Sequence, residues 1–170
     1  MLADKGIREL ITAAMSLRSV YEGQILFQLI GDVDPANPSA LTKEELEAAC
    51  VAGYLEWKGH SNDVRPALIA SDIVCLPSYR EGLPKSLIEA MAIGRAIVTT
   101  DVPGCRECVA EDINGFLVPA KDANALAAAL EKLILDSGLR TQMGKASREK
   151  MVQELSLEKV LKETIAFYES

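Results

Sequence analysis

The sequence lacks the features that mark several specialised classes of protein. Only 11 of its 170 residues are Gly and 7 are Pro, while 49% are hydrophobic, and this composition excludes a disordered, collagen-like or mucin-like chain. It has no apolar run of the roughly 18 to 20 residues needed to cross a bilayer, and the segment from Met1 to Lys5 has no signal-peptide core. We therefore expect a globular, cytoplasmic protein, and its length predicts a single domain over residues 1–170.

Positive charge is also scarce. The chain has 18 Lys and Arg against 25 Asp and Glu, which gives a net charge of -7. A protein that holds nucleic acid by neutralising phosphates needs charge of the opposite sign. We therefore expect no nucleic-acid partner.

The four cysteines do not form a recognisable metal site. Cys50 and Cys75 lie in apolar surroundings, where a free cysteine acts as a small core residue. Cys105 and Cys108 have the spacing of a metal or redox motif, but a zinc site needs four ligands and the only histidine is His60. We predict reduced structural thiols and no bound metal.

The periodicity of apolar residues predicts the fold. A helical stripe over residues 5–20 is followed by short apolar runs, typical of strands buried on both faces, that alternate with further helical segments. This alternation predicts an α/β fold, a Rossmann-like doubly wound parallel sheet covered by helices, with a helical C-terminal third. The predicted strands are 25–30, 54–58, 73–77, 96–100 and 115–119, and the later helices are 41–52, 62–71, 84–93, 104–111, 122–136 and 156–168, with breaks near 137–138 and 155–156.

The beginning of the chain departs from the doubly wound pattern. Such domains usually open with a central strand, whereas this sequence opens almost directly in a helix. We infer that the first strand has been cut away. A natural helical start is the alternative.

The loop after the strand 73–77 is the richest candidate site, because ligands of open parallel sheets bind at the carboxyl ends of the strands. Pro84 suits the first position of the following helix, and Gly94 suits its left-handed end. A helix N-terminus preceded by a Gly-containing loop offers free N–H groups and partial positive charge to a diphosphate.

Two carboxylates flank this anion site. Glu81 lies just before the helix, and Glu89 lies five residues beyond Pro84, about 7.5 Å along the helix axis. That separation suits a nucleotide-sugar, with one carboxylate accepting sugar hydroxyls and the other accepting ribose hydroxyls. The alternative is that both are solvated helix charges.

The segment from Glu81 to Gly94, Glu-Gly-Leu-Pro-x4-Glu-Ala-Met-Ala-x-Gly, resembles the Glu-x7-Glu signature of retaining GT-B glycosyltransferases of the group 1, family 4 type. The resemblance covers nearly the whole chain and implies the C-terminal, donor-binding domain. A weaker similarity is to members that extend lipid-linked oligosaccharides with N-acetylhexosamines. Other segments that carry the resemblance are Asp4-Lys5-Gly6, Leu29-Ile30-Gly31-Asp32, Gly59-His60, Pro103 to Glu107, Asn114 to Val118, and Met143-Gly144 with Arg148.

The resemblance implies roles for individual residues. Glu81 and Lys5 would be catalytic, with Glu81 on the hydroxyls of the donor sugar and Lys5 on the diphosphate. Glu89 would hold the ribose. The family's second cationic residue, an Arg, and its N-terminal acceptor domain are absent from this chain. The candidate donor-binding residues are Gly82, Leu83, Pro84, Glu89, His60 and Ser78.

The expected function follows from these roles. A hexose or N-acetylhexosamine would pass, with retained anomeric configuration, from a UDP-sugar or related donor to a glycan or lipid-linked acceptor held by the missing N-terminal domain. No metal cofactor is required, and the parent enzyme would be cytoplasmic or peripheral at the cytoplasmic membrane face. The isolated chain would bind the nucleotide weakly and turn over little or nothing.

Other functions remain open at this point. The alternatives are a nucleotide-sugar epimerase of the same architecture and a non-catalytic nucleotide-sugar-binding remnant. A receiver domain is disfavoured because no Asp ends the strand 73–77. Asp32-Val33-Asp34 could hold a divalent cation, although the sequence there is also typical of a turn.

Overall fold

The computed structural model describes residues 1–168. Helices and strands alternate as far as residue 118, and the remainder is helical, which confirms the predicted order of elements. After a short 3-10 turn (Ala3–Lys5), the helices are α1 (Ile7–Tyr21), α2 (Lys43–Ala49), α3 (Arg65–Ala70), α4 (Lys85–Ala92), α5 (Pro103–Cys108), α6 (Ala123–Leu135), α7 (Ser137–Glu154) and α8 (Leu157–Tyr168). The strands are β1 (Phe27–Leu29), β2 (Leu55–Trp57), β3 (Ile73–Leu76), β4 (Ala96–Thr100) and β5 (Gly115–Val118).

The strands are parallel, as predicted, but they form two sheets rather than one. β1 pairs with β2, and β3, β4 and β5 pair in that order. No strand among residues 1–168 bridges β1 and β3. The strand orders β2-β1 and β3-β4-β5, placed side by side, match the doubly wound order without its first strand. That this strand has been cut away stays a prediction.

Helices cover both faces of the three-stranded sheet. Ile97 and Val98 are neighbours in β4, both fully buried, and they belong to different core clusters because successive strand residues point to opposite faces. Val98 packs in the cluster that contains α1 and α6, and Ile97 packs in the cluster that contains α4 and α5. The burial of all five residues of β4 makes it the centre of the described fold.

β1 differs from the expectation of a strand buried on both faces. Leu29 is buried, but Gln28 is exposed and Phe27 is half-buried. One face of this strand therefore meets solvent. Leu29 nevertheless joins the same core cluster as Val98 and Phe116, so this cluster spans the two sheets.

The apolar stripes of α6 and α8, in the last third of the chain, differ in burial. In α6, Leu126, Leu130 and Leu133 are buried, so this stripe belongs to the core. In α8 none of the described residues is buried, and Leu161 and Ile165 are about half exposed. The apolar stripe of residues 156–168 suits either a core helix or docking to a further domain. The exposure of α8 excludes the core of the described chain, and docking stays a prediction.

Close backbone approach fixes α7 against the end of α4. Gly94 ends α4 in the predicted left-handed conformation, with φ of 69°, and its N–H donates to the carbonyl of Met91 at 3.0 Å. A Cβ at Gly144 would collide with the carbonyl of Gly94. Only glycine at position 144 allows α7 to cross at this distance.

Candidate functional site

Three of the predicted site residues meet at the carboxyl end of β3. The Nζ of Lys5 lies 2.6 Å from Oε1 of Glu81. The hydroxyl of Ser78, which is fully buried, donates to the same oxygen at 2.6 Å. The side chain of Glu81 is only 11% exposed, so its charge is held by these two partners. The sequence suggested each residue separately, and the structure adds that they contact one another.

The 3-10 turn places Lys5 against the loop after β3. Gly6 has φ of 69°, and its N–H donates to the carbonyl of Ala3 at 2.8 Å. A Cβ at Gly6 would collide with the carbonyl of Pro77, so the turn can approach the loop this closely only with glycine. The N–H of Tyr79 also donates to the carbonyl of Asp4 at 2.8 Å. These contacts fix the backbone that carries Lys5.

Glu81 and Gly82 rest on the start of α5. A Cβ at Gly104 would collide with the carbonyls of both residues. The hydroxyl of Thr100, at the end of β4, donates to the carbonyl of Ser78. Contacts with the start of α5 and with the end of β4 therefore hold the loop that carries Glu81 in position.

The N-terminus of α4 lies next to this loop. Pro84 is the N-cap rather than the predicted first helical residue, because its ψ of 115° keeps it extended and the helix begins at Lys85. The first turn contains no acidic residue, so its N–H groups have no carboxylate from within that turn. Gly82 and Leu83 are exposed beside it. This end of α4 therefore combines free donors with solvent access.

Glu89 lies on the same helix and remains accessible. Its side chain is 31% exposed, and Oε1 lies 3.6 Å from Nζ of Lys85 one turn earlier. Arg65 is near it: the pKa of Arg65 is raised chiefly by its hydrogen bond to Asp63 and to a smaller extent by the negative charge of Glu89. Nothing in the sequence indicates that Arg65 belongs here, because 24 positions separate it from Glu89.

His60 is not bonded to the cluster of Lys5, Ser78 and Glu81 in the described chain. It is exposed in the loop after β2, with Nε2 3.0 Å from Oδ1 of Asn62. Within residues 1–168, no hydrogen bond or ion pair joins His60 to Lys5, Glu81 or Glu89. Its assignment to the donor site stays a prediction.

Tyr79 is a residue of this region that the sequence analysis missed. Its hydroxyl donates to Oε1 of Glu9 in α1 at 2.7 Å, and Nζ of Lys121 lies 4.8 Å from the centre of its ring. Burial, followed by the hydrogen bond to Glu9, raises the pKa of Tyr79 to about 12. Nothing in the sequence signals this pair, because 70 positions separate the two residues.

The Asp-x-Asp triplet has local partners. Oδ1 of Asp32 accepts from the N–H of Val33 at 2.8 Å, and Oδ1 of Asp34 accepts from the N–H of Ala36 at 3.2 Å, as in ordinary turns. In the part of the chain that the structure describes, no three His, Cys, Asp or Glu residues are grouped so that they could hold a metal ion.

The cysteines are free thiols. Cys105 and Cys108 are buried, and burial raises the pKa of both, that of Cys108 to about 11. Thiols with such pKa values are protonated at neutral pH, so neither is a reactive thiolate.

None of the helices between residues 1 and 168 has both the length and the apolar character of a membrane span.

Comparison with known proteins identifies a family. Residues 1–150 match the family model for glycosyl transferases group 1. The chain is 33% identical over 149 residues to the N,N'-diacetylbacillosaminyl-diphospho-undecaprenol alpha-1,3-N-acetylgalactosaminyltransferase of Campylobacter jejuni, a match that covers 88% of this chain and 37% of that protein. It is 30% identical over 156 residues to a lipopolysaccharide core biosynthesis glycosyltransferase of Rhizobium meliloti, covering 92% and 44%. The chain thus spans less than half the length of these relatives.

Solved structures share the fold. The C-terminal domain of a group 1 glycosyl transferase, LpcC of Francisella tularensis, superposes with a TM-score of 0.80 at 25% identity and covers 92% of this chain and 83% of that one. The Anabaena protein HepE, solved with UDP and glucose, superposes with a TM-score of 0.85 at 20% identity and covers 99% and 46%. The likeness to HepE shows the fold alone.

Proposed function

The chain belongs to the group 1 family of glycosyltransferases, and on that premise we propose that it is the donor-binding half of such an enzyme and binds a nucleotide-diphosphate sugar. The observation that carries the proposal is the contact of Lys5, Ser78 and Glu81 beside the open N-terminus of α4. The UDP held by HepE, a protein of the same fold, is consistent with this ligand class.

The charges at the site suit the parts of such a donor. The diphosphate lies over the N–H groups of the first turn of α4, where the helix dipole adds positive charge. Lys5 adds a cationic side chain. Its ammonium group has three N–H donors, so it can keep its bond to Glu81 and still donate to a phosphate oxygen. The exposed amides of Gly82 and Leu83 line the approach to the phosphates, and the buried Pro84 caps the helix behind them.

The two carboxylates bind hydroxyl groups. Glu81, held in place by Lys5 and Ser78, accepts from hydroxyls of the donor sugar, and Glu89 accepts from the ribose. Glu89 is more exposed than Glu81, which suits a contact with a group that enters from solvent. A rigid acceptor positions the sugar before reaction without further loss of side-chain freedom.

The reaction in this proposal is transfer of a hexose or N-acetylhexosamine with retained anomeric configuration. Lys5 and the N-terminus of α4 stabilise the negative charge that develops on the leaving diphosphate, and no metal takes part. The acceptor is a glycan or a lipid-linked saccharide. The relative from Campylobacter jejuni, named for transfer to an undecaprenol-linked saccharide, supports the lipid-linked class.

Activity in this proposal requires a further domain. An Arg on the strand before Met1 supplies the second cation, and an N-terminal domain supplies the acceptor site, so the 170-residue chain alone binds donor weakly and turns over little or nothing. The longer lengths of the relatives support this view. In this proposal the whole enzyme is cytoplasmic or attached peripherally at the cytoplasmic face of the membrane.

Titration calorimetry of the chain with UDP tests the site. We expect Glu89→Ala to weaken binding about ten-fold, since a hydrogen bond to a charged acceptor is worth roughly 1.5 kcal/mol or more. Glu47→Ala is the matched control, because Glu47 forms the same i,i+4 pair with Lys43, at 3.5 Å, on α2. Affinity of the parent chain should be unchanged by a chelator.

Three outcomes would contradict the proposal. Equal affinity of Glu89→Ala and the parent chain removes Glu89 from the site, and failure of the parent chain to bind UDP or a UDP-sugar removes the site itself. Epimerised donor formed without any acceptor would favour the epimerase instead.

A further inference from the structure

A second cavity lies at the opposite edge of the three-stranded sheet. It has a volume of about 820 Å³ and lies between the C-terminal end of α4 and the first four turns of α7. Asp72 and Arg95, which precede β3 and β4, line it, so it belongs to the amino ends of the strands and not to the donor site. Its charged lining consists of four cations, Arg95, Arg140, Lys145 and Arg148, and two carboxylates, Asp72 and Glu149. This is a local excess of positive charge in a chain of net charge -7.

The four cations are not neutralised by carboxylates. Among residues 1–168, none of them forms an ion pair within 4.0 Å, and neither of the two carboxylates of the lining does so. Most other cations of the described chain are paired on the surface. The cavity therefore concentrates positive charge that has no counter-charge within contact distance.

Backbone carbonyls hold the three arginines in place. Arg95 donates to the carbonyl of Ile69 at 2.7 Å, and Arg148 donates to that of Ala92 at 2.8 Å. Arg140 donates from Nη1 to the carbonyls of Leu133 at 2.6 Å and Ile134 at 3.0 Å. These carbonyls lie at the ends of α3, α4 and α6. Each bond uses one nitrogen of the guanidinium, which leaves the other N–H donors for a ligand.

Capping of helix ends accounts for part of this arrangement but not for all of it. Cations stabilise the C-termini of helices, and the three arginines do so here. Lys145 has no such carbonyl partner among the hydrogen bonds of the described residues, yet it lines the same cavity. The Nε of Arg95 is shielded from solvent and has no acceptor within residues 1–168. A buried donor without an acceptor is costly, so the described residues alone do not satisfy Arg95 fully.

We propose that this cavity is a second anion site, which binds a phosphate-type anion through Arg95, Arg140, Lys145 and Arg148. The N-terminus of α7 is not counted as part of the site, because the carboxylate of Asp136 already caps it and accepts from the N–H of Leu139 at 2.8 Å. Because the backbone contacts fix the arginines before a ligand arrives, little side-chain freedom is lost on binding. The site is independent of the donor site, which lies at the other end of α4.

Heteronuclear NMR of the 170-residue chain with inorganic phosphate tests the proposal. We expect saturable shifts of the amides of residues 94–95 and 137–148. Lys145→Gln should weaken the affinity roughly five-fold, the upper range for one exposed charge contact. Lys145 is exposed and its side chain holds no other element in place, so the variant will fold. Lys162→Gln on α8 is the matched control, and it should leave the affinity unchanged.

Three results would overturn the proposal. Shifts confined to the amides near Lys5 and Gly82 would mean that phosphate binds at the donor site alone. Shifts that spread over the surface and do not saturate would indicate unspecific charge attraction. Equal weakening by Lys145→Gln and Lys162→Gln would have the same meaning.

Vesicles distinguish two sources of the phosphate group. In one outcome, the chain sediments with phosphatidylglycerol vesicles but not with phosphatidylcholine vesicles. If inorganic phosphate and Lys145→Gln both reduce the sedimented fraction, then the ligand is a lipid headgroup. If phosphate binds saturably and no vesicle sediments the chain, then the ligand is a soluble phosphate. Either result supports the site.

Discussion

Ser78 and Tyr79 hold the loop after β3 in two different ways, one by a bond within the loop and the other by a bond to α1. The hydroxyl of Ser78 donates to Glu81 within the loop, and that of Tyr79 donates to Glu9 in α1. Glu9 also has a buried oxygen, Oε2, without a hydrogen-bond partner in the described residues. A buried carboxylate oxygen of this kind makes the hydrogen bond from Tyr79 important, because its loss would leave more of the charge unsatisfied.

The titration of Tyr79 is the first prediction at this scale. Because its pKa is raised from 10.0 to about 12, the neutral phenol is the form that the fold stabilises. Its contribution to stability is therefore complete below about pH 10 and is lost as the pH rises through about 12. We expect the tyrosinate absorbance of the parent chain, minus that of Tyr79→Phe, to show a midpoint well above 10.

Stability measurements provide the check on this assignment. Tyr79→Phe should lower the free energy of unfolding by about 1 kcal/mol at neutral pH, the usual net value of one hydrogen bond. A difference titration centred near 10 would show that Tyr79 is solvated and that the contact with Glu9 does not form.

At the scale of helices and strands, the sequence predicts well those element limits that depend only on neighbouring residues. The limits of β4 and the left-handed end of α4 at Gly94 follow from apolar runs and from glycine, and both are as predicted. Pro84, predicted as the first helical residue, lies one position outside α4, because proline fits both the N-cap and the first turn and only its ψ distinguishes them. Periodicity also does not state which strands pair, so the separation into two sheets could not be predicted.

The sequence predicts which residues belong to the site but not which of them contact one another. The motif from Glu81 to Glu89 and its family resemblance selected the loop and helix, since they lie within one stretch of sequence. The bond between Lys5 and Glu81 spans 76 positions, and it exists only because a turn and a loop pack together. For His60, the type of residue suggested a role while the sequence carried no information on its distance from the cluster.

Gly104→Ala tests how α5 supports the site. The added Cβ cannot avoid the carbonyls of Glu81 and Gly82, so the loop must move. We expect a loss of about 1 to 3 kcal/mol in the free energy of unfolding, as for other overpacked positions, and a weaker affinity for UDP in the fraction that remains folded.

Gly144→Ala is the matched control for this substitution. It creates a similar collision with a carbonyl, that of Gly94, but at the opposite end of α4. It should reduce stability by a comparable amount and leave UDP affinity unchanged. If both variants weaken UDP binding equally at a temperature where both are folded, then the loss reflects general destabilisation and not support of the Glu81 loop.

At the scale of the whole molecule, one core holds the two sheets together. Leu29 and Leu55 from the first sheet and Val98 and Phe116 from the second belong to the same cluster, together with the buried face of α1. No ladder of hydrogen bonds joins the sheets in the described chain, so their association depends on apolar burial and on isolated bonds such as that from the hydroxyl of Tyr54 to the carbonyl of Ala14 in α1. A core shared in this way predicts one cooperative unfolding transition.

Trp57, the only tryptophan, reports on this coupling because it lies in β2, where its Nε1 donates to the carbonyl of Gly31 at 2.7 Å. Far-ultraviolet circular dichroism reports mainly on the helices, most of which pack on the other sheet. We expect the urea midpoints of the two signals to coincide, since separation of the sheets would expose Leu29 and Leu55 to water. Leu55→Ala, at a fully buried position, should lower both midpoints together through a loss of about 2 to 5 kcal/mol. A fluorescence midpoint well below that of circular dichroism would show instead that the β1-β2 sheet unfolds by itself and that the common core does not couple the two sheets.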